Sequence, residues 1–489
     1  MGEWALRAAR LAFFCAALLF SLPALAQFEA GVAAFEARDY KSALAIWTPL
    51  GLAGDARAQN NLGNLHQVGL GTPVNFAEAA RWYRRAADQG HTLAQSNLGR
   101  LYEAGQGVTQ NYQEAARWYR KAADQGNAVA QNNLGALHDN GQGVKQNAAE
   151  AVKWYKAVAE EGLDEAQANL GAMYENGRGV ARDYGKARQW YGRAAEQGHP
   201  RAMHYIGLLH QFGRGVKQDD KVAVDWFRRA VEAKHAPAMT SLGVALLRGR
   251  GAARDPVRAI ELFAAAAGAG ESAAANNLGV IYASGEVAPK DLAQANKWFG
   301  MAAQAGDANA QAALARHYRL GLGLARDDRQ AAAWYRKAAD QGHTDAAYSL
   351  GTLHASGAGV AKDEAEAARW YRAAAERGHA MAMTMLGFAQ IEGVGIPRNE
   401  AKGVKWLQRA AERGVGEAQF LLGQALADGV GIKADRVQAL RWFELAAPRL
   451  DGEERGQAIA ARDDLVKLLA PAEIERARKL ARDWKPQAE

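Results

Sequence analysis

Cysteine is nearly absent: the 489 residues contain one, Cys15. A lone thiol excludes an intramolecular disulfide framework and any cysteine-ligated zinc site. Proline is scarce too, at 11 residues against 52 glycines, so glycine must punctuate the chain. Charge of one sign is missing as well. Lys and Arg exceed Asp and Glu by 60 to 53, a net +7, with no run of five like charges of the kind that marks a nucleic-acid-binding tail. Long hydrophobic runs are also lacking. The longest, Leu11 to Leu22, falls short of the ~20 residues a membrane-spanning helix needs, and no transmembrane segment is expected in the mature chain.

That run has the makings of an address. Arg7 and Arg10 precede it, and Ala24-Leu25-Ala26 follows as a small-residue cleavage site. Residues 1–26 are expected to be a signal peptide, removed after Ala26 to leave Gln27 at the N-terminus of a periplasmic or secreted protein. Cys15 leaves with it, which suits an oxidising compartment.

What is present is one pattern written eleven times. Leu-Gly or a close variant recurs every 36 residues, from Leu62-Gly63 and Leu98-Gly99 to Leu422-Gly423, with Ile206-Gly207 and Leu314-Ala315 as variants. An aromatic pair keeps the same phase, from Trp82-Tyr83 and Trp118-Tyr119 to Trp442-Phe443; Leu262-Phe263 and Trp406-Leu407 depart from it. Eleven units run from 55 to 450.

Each unit parses into two helices. In the second unit Ala94, Leu98, Leu101 and Tyr102 fall on one helical face, and the helix stops at Gly105 and Gly107, which tolerate the positive φ of a tight loop. A second helix starts at an Asn or Asp in every unit, Asn75 and Asn111 through Asp435, an N-cap acceptor for the first-turn amides. Three residues later Glu78, Glu114 and five others predict a capping box. Ala79, Trp82, Tyr83, Ala86 and Ala87 then form the buried stripe. Phe28 to Trp47 reads as a shorter N-terminal capping hairpin within 27–54, and residues 451–489 as two C-terminal capping helices.

The pattern Ala94-x3-Leu98-Gly99-x2-Tyr102-x2-Gly105-x-Gly107, followed by Ala115-x2-Trp118-Tyr119-x2-Ala122-Ala123, resembles the Sel-one-like repeat, a relative of the tetratricopeptide repeat. The resemblance implies an all-α fold, a right-handed α-solenoid of eleven helix-turn-helix repeats whose first helices line the concave surface. It also implies a binding scaffold rather than an enzyme. Related repeat proteins include periplasmic regulators of sensor kinases and parts of exopolysaccharide machinery; cysteine-rich relatives linked to β-lactam binding lend nothing to a chain without their cysteines.

Catalytic motifs are missing: no Gly-x4-Gly-Lys phosphate loop, His-Glu-x2-His zinc motif or Gly-x-Ser-x-Gly elbow occurs. No catalytic residue, metal site or cofactor is expected. His66, His138, His210 and His354 stand at the Tyr102 position, two or more repeats apart, too far to share an ion at about 2 Å per bond. His91, His199, His235, His343 and His379 stand in successive linkers, where capping is the expected role. Arg81, Arg84, Arg85, Arg117, Arg120 and Lys121 read as a solvated face, with Asp88 and Asp124 placed to pair with Arg84 and Arg120. No nucleic-acid partner is expected.

Opposite the Ala94 and Leu98 stripe lie positions 96, 100 and 103. Read through the array, they pass from polar residues such as Asn60, Arg100 and Glu103 to Arg316 and Arg319, and then to Tyr348, Phe388, Ile391 and Phe420. Large apolar residues at solvent-facing positions mark interaction sites. These six are the expected ligand-binding groove, and a protein or peptide the expected partner. A polysaccharide or peptidoglycan, with Tyr348 and Phe388 as sugar platforms, is the alternative, and a hydrolase with an unrecognised site a third.

Overall fold

The structure, a computed structural model, describes residues 24–487. The expected signal peptide lies outside the described residues except for its last three. Helices make up most of the rest, with no strand among the described residues. The fold is an all-α solenoid of consecutive two-helix repeats, from Ala56–Val68 paired with Phe76–Asp88 to Gly416–Asp428 paired with Arg436–Ala446. The described residues divide into two compact units, one running up to Ala238 and including Gly249–Ala253, the other comprising Met239–Arg248 and the residues from Arg254 on.

Within a repeat, the glycine of the Leu-Gly pair is where the second helix rests. A Cβ on Gly99 would lie 2.7 Å from the Tyr119 ring, and the same clash recurs between Gly171 and Tyr191 and between Gly423 and Phe443. The first helix therefore needs a flat spot, and the ring fills it. Alanine stands here once, as Ala315 in repeat 8, with Tyr335 still buried.

Between repeats, the second loop glycine makes the join. Gly107 sits at φ 70°, and a Cβ on it would lie 2.2 Å from the backbone carbon of Phe76, at the start of the preceding second helix. Buried glutamines make a second join that sequence reading missed. Gln95 Nε2 donates to the Ala87 carbonyl of the preceding repeat at 3.2 Å, while its Oε1 accepts from Gln125 Nε2 at 2.7 Å. Tryptophans add a third on the other side of the second helices. Trp118 lies between Arg84 of repeat 1, 5.1 Å from its ring centroid, and Lys121, at 4.2 Å, a cation–π arrangement worth ~0.5–1 kcal/mol per exposed pair.

The N-caps form throughout: each Asn or Asp opening a second helix accepts first-turn amides, as Asn111 does from Gln113 and Glu114. The capping boxes do not form. The backbone N–H of each cap donates instead to a carbonyl near the end of the first helix, Asn111 to Tyr102 at 2.9 Å, leaving no donor for the glutamate. The glutamate turns to other donors: Glu114 accepts from Trp118 Nε1 at 3.2 Å and pairs with Arg117. The expected pairing of Arg84 with Asp88 is likewise replaced, because Arg84 reaches across to the Tyr102 hydroxyl and the Trp118 face.

Four linker histidines cap first helices. His91, His199, His343 and His379 each accept at Nδ1 from the backbone N–H three residues on, at 3.0 to 3.2 Å. Only an unprotonated Nδ1 can do so.

The N-terminal hairpin, Ala24–Glu36 with Tyr40–Leu52, is a repeat with a shortened loop. Gly31 meets Trp47 as Gly99 meets Tyr119, and Gly71 docks on Tyr40 as Gly107 docks on Phe76. At the other end Gly452–Leu468 and Pro471–Arg482 follow repeat 11. Trp484 meets Trp442 edge-on at 6.3 Å, and the Gln487 N–H donates to the Glu412 carbonyl at 2.9 Å.

Two outcomes follow. Gly126 has φ 84° and open space around its missing Cβ, so Gly126→Ala should cost only the left-handed penalty, ~1–2 kcal/mol. Gly107→Ala adds a clash with backbone and should cost at least about twice as much in urea denaturation; equal costs would remove the loop–helix join. The second outcome concerns pH. Burial, reinforced by His235, pushes His204 down to about 4, and burial also lowers His91 and His235. The folded chain thus prefers neutral rings, so this stability is complete above about pH 6.5 and declines as the unfolded chain takes up protons the folded chain refuses. His204 alone should withdraw about 2 kcal/mol between pH 7 and pH 5. His204→Phe should flatten the stability profile over that interval in chemical denaturation.

Candidate functional site

The six expected groove residues do not share one surface. Phe420 is a correction: it is 8% exposed and packs on Phe443 at 5.8 Å between ring centroids. Tyr348 is half-buried, stacked on His379 at 4.6 Å and tilted against Tyr371. Position 96, which both occupy, is not solvent-facing; Asn60, Ser96 and Asn132 are buried there as well. Tyr348 thus faces the ring of its own second helix and the cap residue of the next first helix, as His204 does with Phe227 and His235. A helix with neighbours on several sides buries a wider arc than its Ala-Leu stripe.

Position 103 is corrected too. It supplies the polar partner for the second-helix hydroxyl: Glu103 accepts from Tyr119 at 2.6 Å, and Glu175 from Tyr191 at 2.9 Å. Arg319 is half-buried at this position, close enough to Tyr335 for its charge to act on the hydroxyl. In repeat 10 the ring is replaced by Leu407, which has no hydroxyl, and Ile391 takes the position, half-buried. Only position 100 points outward, and Arg316 and Phe388 are both exposed, Phe388 by 43%.

Phe388 and Ile391 do line one groove. It has a volume of about 270 Å³, floored by Leu407, Leu421 and Ala425 and edged by Glu392, Gln424 and Asp428. Arg316, Arg319, Tyr348 and Phe420 do not line it, and neither do the C-terminal capping helices. The groove arises from two departures in repeat 10. Leu407 is smaller than the aromatic ring of other units. Gly403 replaces the alanine that opens the second-helix stripe, and a Cβ there would lie 2.6 Å from Ile391 Cγ1. Both departures are visible in the aligned units; they, rather than the apolar gradient, were the usable signal. Leu421, Glu392, Gln424 and Asp428 were missed.

Among the described residues no group of three or more His, Cys, Asp or Glu side chains is arranged to hold a metal ion, and no helix is long and apolar enough to cross a membrane. Glu417, at the start of the same first helix as Leu421, has its carboxyl raised by burial and by Glu454. The groove offers apolar contact and carboxylate acceptors.

The Sel1 repeat family matches the chain in eleven consecutive segments, from residues 56–91 to 416–447. A solved structure of c5321, a protective antigen of uropathogenic Escherichia coli strains with an SLR fold, is 34% identical, covers 90% of this chain and 93% of its own, and superposes with a TM-score of 0.56. A Sel1 repeat protein from Oxalobacter formigenes is 32% identical over 49% of this chain and 96% of its own, with a TM-score of 0.47. No curated protein matches. Eleven matched segments and the glycine, ring and cap contacts they share make the chain a member of the Sel1 repeat family.

Proposed function

We propose that the protein is an exported scaffold that holds a protein or peptide partner in the groove of repeats 10 and 11, as an envelope regulator or assembly factor. Sel1 repeat folds are in general protein-interaction scaffolds. The observation that carries the reading is Phe388, a large apolar side chain 43% exposed at the mouth of an apolar groove. Exposed apolar surface that the fold does not need is maintained at a cost in solubility. Export rests on the leader pattern ending at Ala26, and the resemblance to a protective antigen supports it. The polysaccharide alternative loses one of its two platforms, because Tyr348 is stacked on His379.

A photo-crosslinking residue at Gln424, on the rim, should trap a species in envelope extracts that protease removes and that muramidase or a polysaccharide lyase leaves intact; the opposite sensitivity would favour the glycan. The purified native chain should begin at Gln27, and an intact Met1 in a cytoplasmic fraction would contradict export. Phe388→Ala should leave folding stability within about 0.5 kcal/mol while weakening partner binding by about 2 kcal/mol or more. Phe420→Ala and Trp370→Ala, both buried, should each cost about 3–5 kcal/mol of stability, read by thermal and urea melts.

A further inference from the structure

The groove carries charge that the fold does not use. Glu392 and Asp428 are the last residues of the first helices of repeats 10 and 11, each followed by a left-handed glycine cap, Gly393 and Gly429. None of the other nine of the eleven repeats places an acidic residue at this position. A carboxylate at a helix C-terminus lies at the negative end of the macrodipole, where a cation would be stabilised and an anion is disfavoured. Both are exposed and both line the groove. Neither forms an ion pair among the described residues, and the nearby Arg398 is engaged by Glu400 at 2.6 Å. Carboxylates elsewhere in the array are commonly paired, as Asp139 is with Arg178 at 2.6 Å and Glu175 with Arg214 at 3.2 Å.

Two unpaired carboxylates set against their helix dipoles, beside an apolar slot, form a surface whose complement is an apolar side chain adjoining a cation. The volume, about 270 Å³, lies just under the range of pockets for drug-sized molecules and suits one or two side chains. We infer that the groove takes a polypeptide segment carrying an apolar residue next to a lysine or arginine, the apolar side chain against Phe388, Ile391 and Leu421 and the cation between Glu392 and Asp428. This rests on the protein- or peptide-binding reading and adds to it the class of sequence recognised. Charge complementarity of this kind sets specificity and association rate more than affinity, and at exposed positions it is screened by salt.

The test is a selection of random peptides displayed on phage against the full mature chain, followed by affinity measurement with synthetic versions of the enriched peptides. Enriched sequences should carry an apolar residue with Lys or Arg within two positions. Their affinity should fall about tenfold in the Glu392→Gln, Asp428→Asn double variant, and the double variant should bind with a shallower salt dependence. Its melting temperature should be unchanged or higher, because two unfavourable carboxylates are gone, whereas Asp340→Asn with Glu392 and Asp428 left intact, at an exposed residue that does not line the groove, should alter neither binding nor salt dependence. Peptides that lose binding on Phe388→Ala but lack a basic residue, or keep full affinity for the double variant, would overturn the charge assignment while leaving the peptide-binding reading in place. A selection yielding no binders, or only binders indifferent to Phe388→Ala, would overturn both.

Discussion

The contact on which the architecture depends is a ring lying on a bare backbone. In repeat after repeat the second aromatic of the second helix rests where the first helix has no side chain, as Tyr119 does over Gly99 and Phe443 over Gly423. The close approach sets how the two helices cross, and thereby where every other column points. Position 103 is brought to the ring's hydroxyl and position 96 to its face, while positions 100 and 104 are the more open ones. The joins between repeats are built on the same economy. Gly107 admits the preceding second helix, and buried glutamines give a second donor to carbonyls at the second-helix ends that already accept from the linker glycines.

Much of this was legible in the sequence because a repeat supplies its own alignment. The period, the two-helix unit, the Asn and Asp caps and the loop glycines follow from local chemistry, and the structure places each of them accordingly. The errors share one cause: each treated a helix as if it had a single neighbour. Phe420 and Tyr348 were placed on an open face because they lie opposite Leu422 and Leu350 on a helical wheel, yet a second neighbour covers that side. The glutamates of the expected capping boxes were assigned donors that the first-helix carbonyls already hold. Gln95 drew no notice because a buried amide on an otherwise apolar face has meaning only when a carbonyl from another repeat is known to lie beside it.

The candidate site was legible in a different way, as departures from the shared pattern. Gly403 and Leu407 each change one contact of the common skeleton. Together they draw the helices of repeat 10 close and leave a slot where other units have a ring. Ile391 follows from Leu407, since a leucine offers no hydroxyl to satisfy. Phe388, Glu392 and Asp428 have no such explanation within the fold. A repeat scaffold keeps its skeleton constant and can vary only the columns that the skeleton leaves free, so unexplained residues in those columns carry the functional information.

The claim that the binding function resides in repeats 10 and 11 is tested most directly by hydrogen–deuterium exchange of the mature chain with and without a selected peptide. The account predicts protection concentrated in Ala380–Glu392 and Gly416–Asp428, lost in Phe388→Ala, with repeats 1 to 8 unchanged. Protection centred on the first helices of the early repeats, or persisting in the variant, would contradict it.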